Sequence, residues 1–141
     1  MNSEILRERT KKFALLIIEL VNNLPQNVVG RAIANQLIRS GTSIGANYRA
    51  ACRGRSKSEF LSKLHIALEE ADETVFWLEL IIEAQLLSFE KINPILTETN
   101  ELTAIFAKSF QTAKKIIKPG GMVISENLLN RHITKSPNLS I

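Results

Sequence analysis

The chain has 141 residues, of which 45% are apolar and 23% charged, with a net charge of +4; this describes one globular domain able to bury a core without disulfides or a structural metal. Its longest apolar run, FALLII, is cut short by Glu19 and falls far below the roughly 18 residues of a membrane span. No signal-peptide pattern opens the chain and Cys52 stands alone, so a soluble protein of the reducing cytoplasm is expected.

The first predicted helix runs from about Ser3, as N-cap with Glu4 in the first turn, to Leu24, where Pro25 ends it. Leu6, Phe13, Ile17, Leu20 and Leu24 recur at helical spacing and mark its buried stripe. A second helix begins near Asn27 and is expected to continue to about Gly54. It contains RSGTSIGANYRA, residues 39–50, whose glycine, serine and threonine content suggests a phosphate-gripping loop. That reading fails, because no Gly-Lys-Ser/Thr ending is present and Gly45 leads into Ala46 and Asn47. Helical phase also persists through the segment, with Ile33, Leu37, Ser40, Ile44, Asn47 and Ala51 on one face.

Two polar residues of that face, Ser40 and Asn47, are read as buried positions that fix register. Beside them Ala34, Gly41, Gly45 and Cys52 form a small-residue edge that admits a close helix neighbour, and a packed, inert thiol is expected at Cys52. On the opposite side Arg31, Arg39, Arg49 and Arg53 fall within an arc of about 80° at 100° per residue. A solvated face is one reading of this stripe. The sharper one is a surface tracking the RNA or DNA backbone, since the guanidinium fork suits phosphate oxygens. No aromatic residues interleave the stripe, so base stacking is not suggested.

The third helix is predicted from a capping signal, Ser56 or Ser58 followed by Glu59, to about Leu87. Leu61, Leu64, Leu68, Ala71, Val75, Leu78 and Ile82 form its bundle face. Ile66, Phe76, Trp77, Leu80, Ala84 and Leu87 lie largely on the other side, among Glu69, Asp72 and Glu73. A bundle helix needs one apolar stripe, so the second is expected to be covered, by the C-terminal tail or by another subunit. Aromatics mixed with charges favour the subunit, with Ile66, Glu69, Glu73, Phe76, Trp77 and Leu80 as the oligomer interface and its acids meeting a neighbour's arginines head to tail. The fourth helix is predicted over Lys91 to Lys118, with Pro94 in its first turn and a seam of Leu96, Thr99, Leu102, Phe106, Phe110, Ala113 and Ile117. The run KPGG stops it. The fold expected is therefore all-α, an antiparallel up-down four-helix bundle over residues 1–118 with a mobile tail over 119–141.

Charge is distributed unevenly. Residues 27–65 hold Arg31, Arg39, Arg49, Arg53, Arg55, Lys57 and Lys63 against Glu59, whereas residues 66–102 hold nine acids against Lys91. Carboxylate-metal chemistry is not expected: no Glu-x-x-His pair occurs, and His65 and His132 are the only histidines. His65 is read as a surface partner of Glu69, one turn later. No catalytic residue, metal site, cofactor or membrane partner is predicted.

The stretch RSGTSIGANYRAACRGRSKSEFLSKLHIALEEADETVFWLEL, residues 39–80, resembles the four-helix bundle family associated with intervening sequences of 23S ribosomal RNA genes. The resemblance implies a bacterial cytoplasmic protein that forms a ring-shaped homopentamer and has no established enzyme activity. Relatives in that family include the accessory variability protein of diversity-generating retroelements, which pairs with a reverse transcriptase and binds nucleic acid through basic residues. Carried over by position, Arg39, Arg49, Arg53, Arg55 and Lys57 become the candidate binding surface. The alternative is an adaptor for a partner enzyme such as a reverse transcriptase, with no direct contact to nucleic acid.

Overall fold

The computed structural model describes residues 1–115, so the predicted stop at Lys118 and the tail over 119–141 lie outside the described residues. Four helices follow one another: α1 (Ser3–Asn22), α2 (Val28–Cys52), α3 (Lys57–Glu83) and α4 (Phe89–Lys115). Each packs on its chain neighbour, α1 also meets α4, and no diagonal pair comes together along its length. This is the closed ring of seams of an antiparallel up-down bundle, in which short connections force neighbouring helices to run in opposite directions. The α2–α3 seam is the most extensive and the α1–α4 seam the slightest.

Most of the sequence seams form the core, although Leu61, Leu96 and Ala113 are only half-buried and Ile81 takes the inward position expected of Ile82. Leu6, Phe13, Ile17, Leu20 and Leu24 are all buried, as are Leu64, Leu68, Ala71, Val75 and Leu78 of α3. Tyr48 of α2 reaches across to stack on Phe106 of α4, with ring centroids 5.2 Å apart. Burial and a hydrogen bond with Cys52 push the Tyr48 phenol well above its ordinary range, opposed only by the charge of Arg7. At the thin α1–α4 seam, Arg9 donates from Nε to Glu98 Oε2 at 2.8 Å and from Nη2 to Glu98 Oε1 at 2.6 Å. Its Nη2 also reaches Glu101 at 3.0 Å.

Residues 39–50 are uninterrupted helix inside α2. The small residues face α1: a Cβ at Gly41 would sit 2.8 Å from Ile17 Cγ1, and one at Gly45 would sit 3.2 Å from Thr10 Cβ. Close approach of the two helices is therefore what the glycines permit.

Several boundaries differ from expectation. The N-cap of α1 is Asn2 rather than Ser3, its side chain accepting from Ile5 N. Ser56 caps α3, and Glu59 turns back to accept from Arg55 N at 2.6 Å. The third helix stops at Glu83, four residues before Leu87, because Gln85 adopts a left-handed φ of 57°. Leu86 N then bonds Ile81 O and Gln85 N bonds Ile82 O, the paired bonds of a Schellman stop. Leu86 and Leu87 turn onto the core instead of continuing the helix. The fourth helix starts at Phe89, so Pro94 lies in its second turn rather than its first. Asn47 is half-buried, not buried: Tyr48 takes the inward position, and the Asn47 amide donates to Ser43 O of its own helix at 2.9 Å.

Candidate nucleic-acid interface

The predicted arginine stripe divides into three groups. Arg31 lies in the first turn of α2, exposed, and donates to the Gln26 carbonyl at 3.1 Å. In an antiparallel bundle this is the end opposite the α2–α3 turn. Arg39, at mid-helix, reaches across to α3, bonding Glu70 Oε2 at 3.1 Å and Glu73 Oε1. Arg49, Arg53, Arg55 and Lys57 gather at the α2–α3 turn, and among the described residues their charged groups make no hydrogen bond or ion pair.

The Arg39 cluster is a structural tie. Glu73 is held below the ordinary carboxylate range by its hydrogen bond from Arg39, burial opposing and Trp77 assisting. Glu70 is shifted the other way: burial raises it, and Arg39 only partly offsets this. The same Glu73 oxygen accepts from Trp77 Nε1 at 3.3 Å. Within the chain, Glu73 is therefore already engaged by an arginine of the neighbouring helix. Next to this tie the Ser40 and Thr74 hydroxyls hydrogen-bond across the seam at 3.0 Å, and Thr74 also donates to the Glu70 carbonyl at 2.8 Å. Ser40 is fully buried, with the partner that a buried hydroxyl needs.

The basic end is a different environment. Arg49 and Arg53 project from the last turn of α2, where cations complement the negative end of the helix dipole. Lys57 is the first residue of α3, and Arg55 immediately precedes its cap. Cations there oppose the positive end of the dipole, a local conflict of about 0.3–1 kcal/mol that folding does not reward. Glu59 is the one acid in this stretch, and its carboxylate is taken up by the Arg55 amide. Two concavities flank Arg53: a groove of about 430 Å³ between α1 and α2, and a corner depression formed with Gly54, Ser58, Glu59, Ser62 and Lys63. The groove brings in Arg7 and Lys11 of α1, which reading α2 alone does not find. Their i, i+4 spacing was a visible signal, but it needed the antiparallel pairing to place it beside Arg49.

On the outer side of α3, Phe76 is 50% exposed and meets Trp77 edge-to-face at 5.1 Å, while Trp77 is half-buried against the core. Ile66 and Leu80 are half-buried. Glu69 pairs with His65 at 2.8 Å, as its spacing suggested. Other exposed apolar side chains lie elsewhere: Leu15, Leu16 and Ile18 on α1, and Val28 and Val29 at the start of α2. The sequence signal for the α1 residues was the unbroken run LLII, too continuous for one stripe. Among the described residues, no three His, Cys, Asp or Glu side chains stand where they could share a metal ion, and no helix is long and apolar enough to cross a membrane.

Comparison with known proteins places these features in a wider setting. The family model described as 23S rRNA-intervening sequence protein matches residues 3–118. A crystal structure of a protein of unknown function from the S23 ribosomal protein family of Bacteroides thetaiotaomicron is similar, with a TM-score of 0.72 and 34% identity, covering 75% of this chain and 98% of that one. No curated protein matches.

Proposed function

The chain belongs to the 23S rRNA-intervening sequence protein family, and from that premise we propose that it is a non-enzymatic, homo-oligomeric scaffold of the bacterial cytoplasm that binds the RNA or DNA backbone. The observation that carries the binding is the cluster of Arg49, Arg53, Arg55 and Lys57 at one end of the bundle, without internal partners among the described residues. Paired cations stabilise a fold, whereas unpaired ones, two of them (Arg55 and Lys57) set against the dipole of α3, suit an external polyanion. With no aromatic side chain interleaved among them, the contact is to phosphates and independent of sequence. Arg31 and Arg39 belong to the predicted set by helix phase, but they contribute little to this surface.

Assembly is proposed as a ring-like pentamer, the arrangement implied by the family resemblance. Exposed Phe76 and the exposed apolar side chains of α1 support it, since an isolated bundle has no use for them. The same exposed α1 residues favour a second reading, an adaptor whose apolar face seats a partner enzyme such as a reverse transcriptase.

The test is a titration of labelled RNA at two salt concentrations. Wild type is expected to bind with a steep salt dependence, and Arg49→Glu with Arg53→Glu to abolish binding. Absence of binding at low salt overturns the nucleic-acid reading and leaves the adaptor. Light scattering is expected to give several times the 15.8 kDa chain mass, reduced by Trp77→Glu; a monomer at micromolar concentration refutes the assembly.

A further inference from the structure

Arg53 is shared by the two concavities, and the groove between α1 and α2 carries cations on both walls: Arg7 and Lys11 on α1, Arg49 and Arg53 on α2. Each pair is spaced four residues apart, so each follows one side of its helix with a rise of about 6 Å. Small or short residues line the groove between them, namely Thr10, Ala14, Thr42, Gly45 and Ala46. Gly45 is where α1 comes so close that a Cβ would already press on Thr10. Two carboxylates, Glu4 and Glu8, also line the α1 wall. Cations therefore outnumber acids four to two, and none of these charged side chains is paired within the described residues.

We infer that this groove is the seat of a single sugar-phosphate strand, gripped from both sides by Arg7 and Lys11 and by Arg49 and Arg53. The strand then passes over Arg53 into the corner depression toward Lys63. The inference rests on the proposed backbone binding and deepens it in one respect: the ligand is single-stranded. Neighbouring helix axes in a bundle lie about 8–10 Å apart, so the two helices touch and the groove is a valley along their seam, with room for one chain lying in it. A duplex, two chains wound round each other, is too wide to enter the valley and can touch only its rim. Charges on two walls and around a corner also ask for a ligand with negative charge strung along its length, rather than one compact anion. Glu4 and Glu8 hold the affinity below what the four cations alone would give.

Fluorescence anisotropy with a short labelled single-stranded RNA and a duplex of the same length tests this, using variants whose melting curves match wild type. Wild type is expected to bind the single strand several-fold more tightly than the duplex. Arg7→Gln with Lys11→Gln should weaken single-strand binding by about tenfold and lower the salt slope by about 1.4, two phosphates at about 0.7 each. Ala46→Phe, which removes no charge but fills the groove, should do likewise. Glu4→Gln with Glu8→Gln should strengthen binding, and Arg31→Gln, at the other end of the bundle, should leave it unchanged. If Arg49→Glu with Arg53→Glu abolishes binding while the Arg7/Lys11 pair and Ala46→Phe bind as wild type, the groove is overturned and the outer-face reading stands. Equal affinity for strand and duplex also overturns it. If wild type binds neither RNA, the underlying reading fails and the groove falls with it.

Discussion

Replacing Gly41 by alanine sets two effects of known size against each other. Alanine inside a helix is favoured over glycine by about 1 kcal/mol. A Cβ at residue 41 would lie 2.8 Å from Ile17 Cγ1 and 2.9 Å from Ile17 Cγ2, well inside the roughly 3.5–4.0 Å at which carbon atoms attract. Ile17 is fully buried and β-branched, with one preferred rotamer in a helix, so it has no free end to swing aside. Relief must come from moving α1 away from α2, an overpacking cost of about 1–3 kcal/mol. The net expectation is a loss of up to about 2 kcal/mol, read from urea midpoints at one fixed protein concentration. Ile17→Ala alone should cost about 2–5 kcal/mol, but in that background the new methyl has room. There Gly41→Ala should stabilise by about 1 kcal/mol, reversing its sign. A higher urea midpoint for Gly41→Ala in the wild-type background would refute the claim that glycine is kept here for close helix approach.

Gly30→Ala should be more damaging, at least about 2 kcal/mol by the same urea assay, because its Cβ would collide with the Pro25 carbonyl oxygen, a backbone atom that cannot step aside. Gln85→Gly should raise stability by about 0.5–1 kcal/mol, since Gln85 holds a left-handed φ of 57° that costs a side-chain-bearing residue about 1–2 kcal/mol, partly offset by glycine's greater unfolded freedom. Glu73 and Glu98 are held below the ordinary carboxylate range, chiefly by hydrogen bonds from Arg39 and Arg9, so their contribution is present above that range and lost as pH falls through their lower folded values. Glu70, raised mainly by burial, works oppositely: its contribution is present at low pH and lost as pH rises through its higher folded value. Arg9→Gln should therefore lower the urea midpoint at pH 7 and flatten its decline on acidification below the ordinary carboxylate range; an unchanged acid limb would count against the Arg9–Glu98 tie.

Most of the fold was legible because its signals are local and repeated. The stripe Leu6, Phe13, Ile17, Leu20, Leu24 kept its phase over five turns, and every member is buried. What failed to read was set by one residue or by a partner helix. The end of α3 depended on Gln85 entering a conformation that glycine or asparagine usually marks. The inward position near residue 47 went to Tyr48 because Phe106 of α4 offers it a ring to stack on. Arg39 lay in the same wheel arc as Arg49 and Arg53, and nothing in α2 itself distinguishes them. Only the facing residues of α3 do.

Those facing residues follow from the hairpin that joins α2 to α3. Ser40 meets Thr74 across the seam, so in an antiparallel pair each step back along α2 is a step forward along α3. Arg39 is thereby delivered to Glu70 and Glu73. By the same count Arg49 stands opposite the region of Lys63 to Ile66, and Arg53 stands opposite the capping turn, where Glu59 is already committed to the Arg55 amide. The acidic block that begins at Glu69 starts too late to reach the turn. Sequence charge asymmetry is thus converted by topology into two things at once: ion pairs that hold the middle of the hairpin, and an end where, among the described residues, cations outnumber acids. Moving the block two turns earlier would neutralise that end and leave the apolar seam intact. The placement of Glu69 to Glu73 therefore decides which end of the bundle is left basic, while the leucine pattern decides only that it is a bundle.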